Sequence, residues 1–271
     1  MKDMTAYWRD GRAWGLAGLL AFMVSCATVP ETGRRELLLV SPRDELQLGL
    51  TEFQKIKKST PVSNDPALQA MVQRVGQRIA AVASLPNAQW EFVVFDEPKT
   101  VNAFCLPGGK VGIYTGILGI TQNEAGLASV IGHEVSHAVA RHGAERLSRG
   151  LLIEFGGVLL DAAMSEHSDS ARVLAQQAYG AGGQLGAVLP HSRMQESEAD
   201  HLGLIYMARA GYDPRQAVEF WKRFASFNSR QGGRSISFLS THPVDQVRIN
   251  QLESELPGAL REYENAKSRQ P

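Results

Sequence analysis

The chain has 271 residues, 44% of them hydrophobic and 21% charged, with 28 basic side chains against 28 acidic ones. That is enough for one large or two small domains with a real core, and it is not the acidic, aromatic-poor composition of a disordered chain. A formal charge of zero removes the strongly basic face of a nucleic-acid binder, so no nucleic acid is expected as a partner. Two cysteines, Cys26 and Cys105, are too few for a disulfide scaffold or a four-cysteine zinc module.

Lys2, Arg9 and Arg12 precede an apolar run at residues 13–24. The run falls short of the roughly 20 apolar residues that span a bilayer, and with its basic start it reads as a bacterial export signal over residues 1–25. Its end, Met23-Val24-Ser25-Cys26, looks like a lipobox. Cys26 is then expected to carry a lipid at the mature N-terminus, with residues 26–40 as an extended tether and Cys105 as a lone thiol. Ala27, where Asp would favour retention in the inner membrane, points to the periplasmic side of the outer membrane.

Ser41-Pro42 opens a helix to about Lys58, with Ser as N-cap and Pro in the first turn. Asp65-Pro66 repeats the signal for a helix to about Ala83, with Leu68, Val72, Val75 and Ile79 on one face. Residues 90–95 (WEFVVF) are aromatic and β-branched and predict a strand. Residues 101–105 and 110–114 flank Leu106-Pro107-Gly108-Gly109, which reads as a hairpin connection. Thr121 with Glu124 makes a capping box for a long helix to about Ser148, and Ser192 with Gln195 another for a helix ending near Gly211. The segment 151–190, rich in Gly, Ala and Leu, reads as two core helices, the alternative being a mobile segment that covers the cleft or touches the membrane. Asp213-Pro214 opens a helix to about Phe227, with Trp221, Phe224 and Phe227 as core, and residues 244–256 form a last one. The polar end, 263–271, is expected to fray. The sum is a single α+β domain, a small antiparallel sheet packed among helices.

The centre of the long helix reads Gly132-His133-Glu134-Val135-Ser136-His137. Two histidines four apart share one helix face, one turn apart, and can hold one Zn²⁺ at about 2.0–2.1 Å each. Glu134 sits about 100° around from His133, too far to share the metal but well placed for a water beside it. Its carboxylate lies in an otherwise apolar stretch, where an unpaired charge is costly and a divalent cation supplies a partner. A metzincin continuation fails: its glycine and third-histidine positions are Ala140 and Gly143. His142, about 140° around from His137, is expected to be a surface or cap histidine.

A later helix carries Glu196-Ser197-Glu198-Ala199-Asp200. Glu196 and Asp200 share a face, whereas Glu198, about 200° from Glu196, is expected to be solvated. With HEVSH and ESEAD together, the chain resembles the M48 family of zinc metallopeptidases. The likeness extends through Thr32-Gly33-Arg34-Arg35, Asn102-Ala103-Phe104, Pro107-Gly108-Gly109-Lys110 and Thr241-His242-Pro243 with Arg248. It is closest to the short, lipid-anchored periplasmic members.

That resemblance implies a mainly helical, zincin-type (gluzincin) domain over residues 41–262. It implies one Zn²⁺ held by His133, His137 and Glu196, with Glu134 as general base and Asp200 orienting a ligand histidine through its other N–H. The strand at Asn102, Ala103 and Phe104 would border the cleft and take an extended substrate. His242 and Arg248 are candidates for stabilising the oxyanion, and His242 for filling the open zinc position in a latent state. The expected activity is endoproteolysis of unfolded or misassembled envelope proteins. The rivals are a non-catalytic binding factor with a structural zinc, against which an intact Glu134 argues, and a metal-dependent hydrolase of non-peptide bonds.

Overall fold

The computed structural model describes residues 25–184, 188–230 and 237–269; residues 1–24, which hold most of the expected export signal, lie outside it. The chain opens with a small hairpin, β1 (Ser25–Thr28) paired antiparallel to β2 (Arg35–Leu38), with Cys26 opposite Leu37. The expected tether is therefore folded. Val29 and Leu38 are buried, Gly33 takes φ +69° in the turn, and the Leu39 N–H donates to Ser148 Oγ at 2.8 Å.

Helix α1 (Pro42–Ser59) starts where read: Ser41 accepts from the Asp44 N–H, acidic residues fill the first turn, and Lys57 and Lys58 the last. Helix α2 (Pro66–Ala80) is capped by Asp65 and buries Val72, Val75 and Ile79. Strands β3 (Glu91–Phe95), β4 (Ala103–Leu106) and β5 (Lys110–Tyr114) form one sheet in the order β3-β5-β4. The hairpin β4–β5 is antiparallel, but β3 pairs parallel with β5, so the sheet is mixed. Strand β4, carrying the expected substrate residues, is the edge beside the metal-motif helix.

After the short α3 (Thr115–Thr121) comes α4 (Glu124–Val139), every residue of which from Gly126 to Val139 is buried. Its N-cap is Asn123, whose side chain accepts from the Gly126 N–H, in place of the expected Thr121–Glu124 box. It also stops earlier than expected. Arg141 takes φ +47°, and a second helix, α5 (His142–Ala163), leaves in a new direction. Helix α6 (Asp169–Gly183) packs back on α5 through Arg172–Asp161, Gln176 to the Gly157 carbonyl and Tyr179 against Gly156. Beyond Ser148 these two are not core helices: Val158 is 61% and Leu174 67% exposed, and α6 buries no residue.

Helix α7 (Leu189–Arg209) begins three residues before the expected cap and lies along α4. The two cross at glycines. A Cβ on Gly203 would sit 2.9 Å from the His133 backbone nitrogen, and one on Gly132 would sit 2.9 Å from the Gly203 carbonyl oxygen. Helix α8 (Arg215–Arg230) buries Phe220, Trp221 and Phe224 against α4. The short α9 (Ser237–Thr241) precedes α10 (Gln246–Ser268), which packs on α7 and stays helical well past the expected fraying point, Pro257 included. Among the described residues, no helix is long and apolar enough to cross a membrane.

Candidate metal centre

His133 and His137 leave α4 on one face, and their Nε2 atoms lie 3.2 Å apart. Glu196, from α7, closes the triangle: Oε2 is 3.4 Å from His133 Nε2 and Oε1 is 3.3 Å from His137 Nε2. Donors about 2.1 Å from a tetrahedral centre lie about 3.4 Å from one another, so the two imidazole nitrogens and the Glu196 oxygen nearest each have the spacing expected around one zinc. All three side chains are buried. The two imidazoles and one carboxylate are a donor set that suits zinc.

A fourth donor joins them. His242, just past α9, puts Nδ1 3.2 Å from His133 Nε2 and 3.0 Å from Glu196 Oε2. His133, His137, Glu196 and His242 together offer ligand atoms all within 4.8 Å of one another. The His242 Nε2 is 3.4 Å from Glu134 Oε1. Glu134 is itself buried, and its Oε1 has no hydrogen-bond partner. Burial raises its pKa, more than His242 and His133 lower it.

Behind His133 stands a carboxylate–guanidinium pair. Asp200 Oδ1 lies 3.0 Å from His133 Nδ1, off the N–H axis. Arg248 donates to both Asp200 oxygens, at 2.7 and 2.8 Å, and to the Pro243 carbonyl, and Nη1 lies 3.2 Å from Glu196 Oε2. Its guanidinium rests 4.4 Å from the Trp221 ring centre. The Arg248 donors thus serve Asp200, Glu196 and the Pro243 carbonyl. Burial alone would raise the carboxyl pKa of Glu196 and Asp200. The histidines hold Glu196 well below the usual range, and Arg248 and His133 do the same for Asp200. Burial works against a charged His133, but Asp200 and Glu196 outweigh it and push its pKa up to about 9 in the metal-free site.

Behind His137 the expectation fails in an instructive way. His142 is fully buried, its Nδ1 2.7 Å from His137 Nδ1 and its Nε2 2.9 Å from Glu198 Oε2. The helix that would have carried it away ends at Val139, and the left-handed Arg141 turns the chain. Glu198 is buried too, not solvated: it accepts from Thr32 Oγ1 at 2.5 Å and from Arg34 Nε at 2.7 Å. Burial would raise its pKa, yet His142, Thr32 and Arg34 bring it down to about 2. The signal for Glu198 and its partners in the sequence was their place in the motifs, Glu198 inside ESEAD and Thr32 and Arg34 inside TGRR.

Of the remaining expected residues, Asn102 precedes β4 and its carbonyl accepts from the Tyr114 N–H. Ala103 is buried opposite Ile113, and Phe104 packs on Phe53, Phe95 and Tyr114. Cys105 is a free thiol.

Residues 66–256 match peptidase family M48. The chain is 38% identical over 188 residues to the mitochondrial metalloendopeptidase OMA1 of Schizosaccharomyces pombe, covering 69% of this chain and 53% of that one. Against the same-named protein of Saccharomyces cerevisiae it is 33% identical over 253 residues, or 88% of this chain and 71% of that one. Against the beta-barrel assembly-enhancing protease of Escherichia coli K12 it is 28% identical over 232 residues, 84% and 47% of the two chains. It therefore spans about half the length of two of these relatives. With the match running through core and site alike, the chain belongs to peptidase family M48, whose metal is zinc.

Proposed function

We propose that the chain is a zinc-dependent endopeptidase, with His133, His137 and Glu196 holding the metal and Glu134 as general base. The observation that carries this is the ring of three ligand residues with a buried carboxylate next to it whose Oε1 has no hydrogen-bond partner. A purely structural site has no use for a base beside its donors. When bound, zinc lowers the pKa of water toward about 7 and polarises a carbonyl. Glu134 takes the proton of the attacking water and hands it to the leaving amine, a role its raised pKa suits. Asp200 and Arg248 keep His133 and Glu196 in place. An extended substrate adds to the open edge of β4 at Asn102, Ala103 and Phe104 through main-chain hydrogen bonds. Cleavage of the peptide itself, and not only of a matched ester, would separate this reading from that of a hydrolase of non-peptide bonds.

His242 makes the resting protein latent in this proposal. Its Nδ1 stands among the metal donors, where water must enter, and its position after α9 depends on a five-residue helix packed through Phe238. His242→Ala is expected to raise basal casein cleavage several-fold; unchanged or lower cleavage removes the latency reading. A non-catalytic binding factor is the alternative to be kept if neither form cleaves.

The cellular reading rests on the sequence and on one relative. The export signal at 1–25 and the lipobox cysteine Cys26 support a protein anchored by lipid on the periplasmic side of the outer membrane. The Escherichia coli relative, a protease named for β-barrel assembly, supports unfolded or misassembled envelope proteins as substrates. Metabolic labelling with a fatty-acid analogue, lost in Cys26→Ser, tests the anchor.

A further inference from the structure

We propose that His142 and Glu198, held by the Thr32–Arg34 turn of the N-terminal hairpin, are positioning residues for His137, so that the hairpin is part of the metal site. The inference rests on His137 being a zinc ligand. It concerns residues on the far side of that ligand, and part of the machinery, the hairpin at 25–38, lies outside the family match at 66–256.

The argument runs along one line of hydrogen bonds. His137 turns Nε2 toward His133 and Glu196, so a metal bound there takes the Nε2 lone pair and leaves the proton on Nδ1. That N–H faces His142 Nδ1 at 2.7 Å, which must then be bare and accept. A bare Nδ1 puts the His142 proton on Nε2, 2.9 Å from Glu198 Oε2. Every group in the chain has one protonation state compatible with its neighbours, and that state presents the His137 lone pair to the metal. Partners of this kind fix ring orientation and raise ligand basicity.

Glu198 is fixed from outside the helices. Thr32 Oγ1 donates to its Oε1 and Arg34 Nε to its Oε2, and Arg34 Nη1 reaches on to Glu145 of α5 at 3.0 Å. The turn carrying both residues is itself held, through the Val29 N–H to the Arg34 carbonyl and the Gly33 N–H to the Val29 carbonyl. The backbone break that aims His142 inward is held separately: Arg141, at φ +47°, donates to Glu45 of α1 at 2.7 Å. Asp200 and Arg248 support His133 from one side, and the hairpin supports His137 from the other.

The test uses the full chain and Zn²⁺ alone, with zinc affinity read by competition against a chromogenic chelator. His142→Leu, which can neither accept from His137 nor donate to Glu198, is expected to lose about 10–100-fold in zinc affinity. His142→Gln can do both and is expected to recover most of the loss. Thr32→Val, a mild change at the hairpin, is expected to weaken zinc a few-fold while the thermal midpoint of the metal-free protein stays near that of the parent. The cobalt-substituted protein adds a spectroscopic readout, its visible d–d bands shifting in His142→Leu and returning in His142→Gln. Wild-type affinity in both His142→Leu and Thr32→Val overturns the proposal, as does a loss in His142→Leu that His142→Gln does not relieve. Should His142→Leu fail to fold, Thr32→Val decides alone, unchanged zinc affinity counting against the proposal. His137→Ala is the control: undiminished zinc affinity there sinks the ligand assignment itself and not the hairpin's role.

Discussion

Arg248 shows how one side chain secures a site made of charges. It faces two buried carboxylates, Asp200 and Glu196, at 2.7–3.2 Å. Removing one partner of a buried pair leaves an uncompensated charge and costs about 3–5 kcal/mol. Arg248→Met is therefore expected to destabilise the metal-free protein by that order in urea unfolding, with loss of zinc affinity besides. An effect under 1 kcal/mol would mean that the pair is dispensable. A second buried carboxyl, Glu36 on β2, is poorly paired: its Oε2 has no hydrogen-bond partner, and burial pushes its pKa up to about 7 against the pull of Arg34 and Arg141. The folded state thus keeps a proton that the unfolded chain releases near 4.5. Stability is full below that value and falls as pH rises toward 7. Glu36→Gln is expected to raise the thermal midpoint at pH 8 and change it little at pH 4; an equal gain at both would contradict the assignment.

At the scale of elements, the crossing of α4 and α7 brings the two halves of the motif together. The glycines at that crossing let the helix backbones approach where His133 must meet Glu196 and Asp200. Gly203→Ala forces a Cβ against backbone, not against a flexible side chain, so the helices must part. A loss of about 1–3 kcal/mol is expected in metal-free unfolding, with weaker zinc binding; wild-type behaviour would show that the crossing has slack. The histidine pair was legible in the sequence because i and i+4 on one helix fix their relation without any other part of the chain. Glu196 and Asp200 were legible the same way, but their meeting with the histidines came from the resemblance. His142 was not, because the helix ends at Val139 and Arg141 turns the chain just before it, in a conformation tied to Glu45 nearly a hundred residues away. Glu198 was not, because its partners Thr32 and Arg34 lie more than 160 positions from it. Helical periodicity describes a residue's angle on its own helix and is blind to such partners.

Across the whole molecule, the sheet and the N-terminus repeat that lesson. The strands read at 90–95, 101–105 and 110–114, from composition and from the Gly108-Gly109 turn, stand at 91–95, 103–106 and 110–114. The parallel pairing of β3 with β5 was not, since strand order is decided by packing on α2 and α4. Residues 26–40 read as a tether because they are short and mixed in character; they fold because Val29 and Leu38 find a core and Arg34 finds Glu198. The segment 151–190 read as core helices from its Gly, Ala and Leu content, yet α6 and the part of α5 beyond Ser148 carry exposed apolar side chains. The central claim, a zinc endopeptidase with Glu134 as its base, is tested most directly by measuring zinc content and casein cleavage of wild type beside Glu134→Gln, each also in the His242→Ala background. The account predicts one zinc per chain in every form and cleavage with Glu134 that falls about 10²–10⁴-fold with Gln. Equal cleavage with Glu or Gln at position 134, or zinc in every form with no cleavage in any, would contradict it.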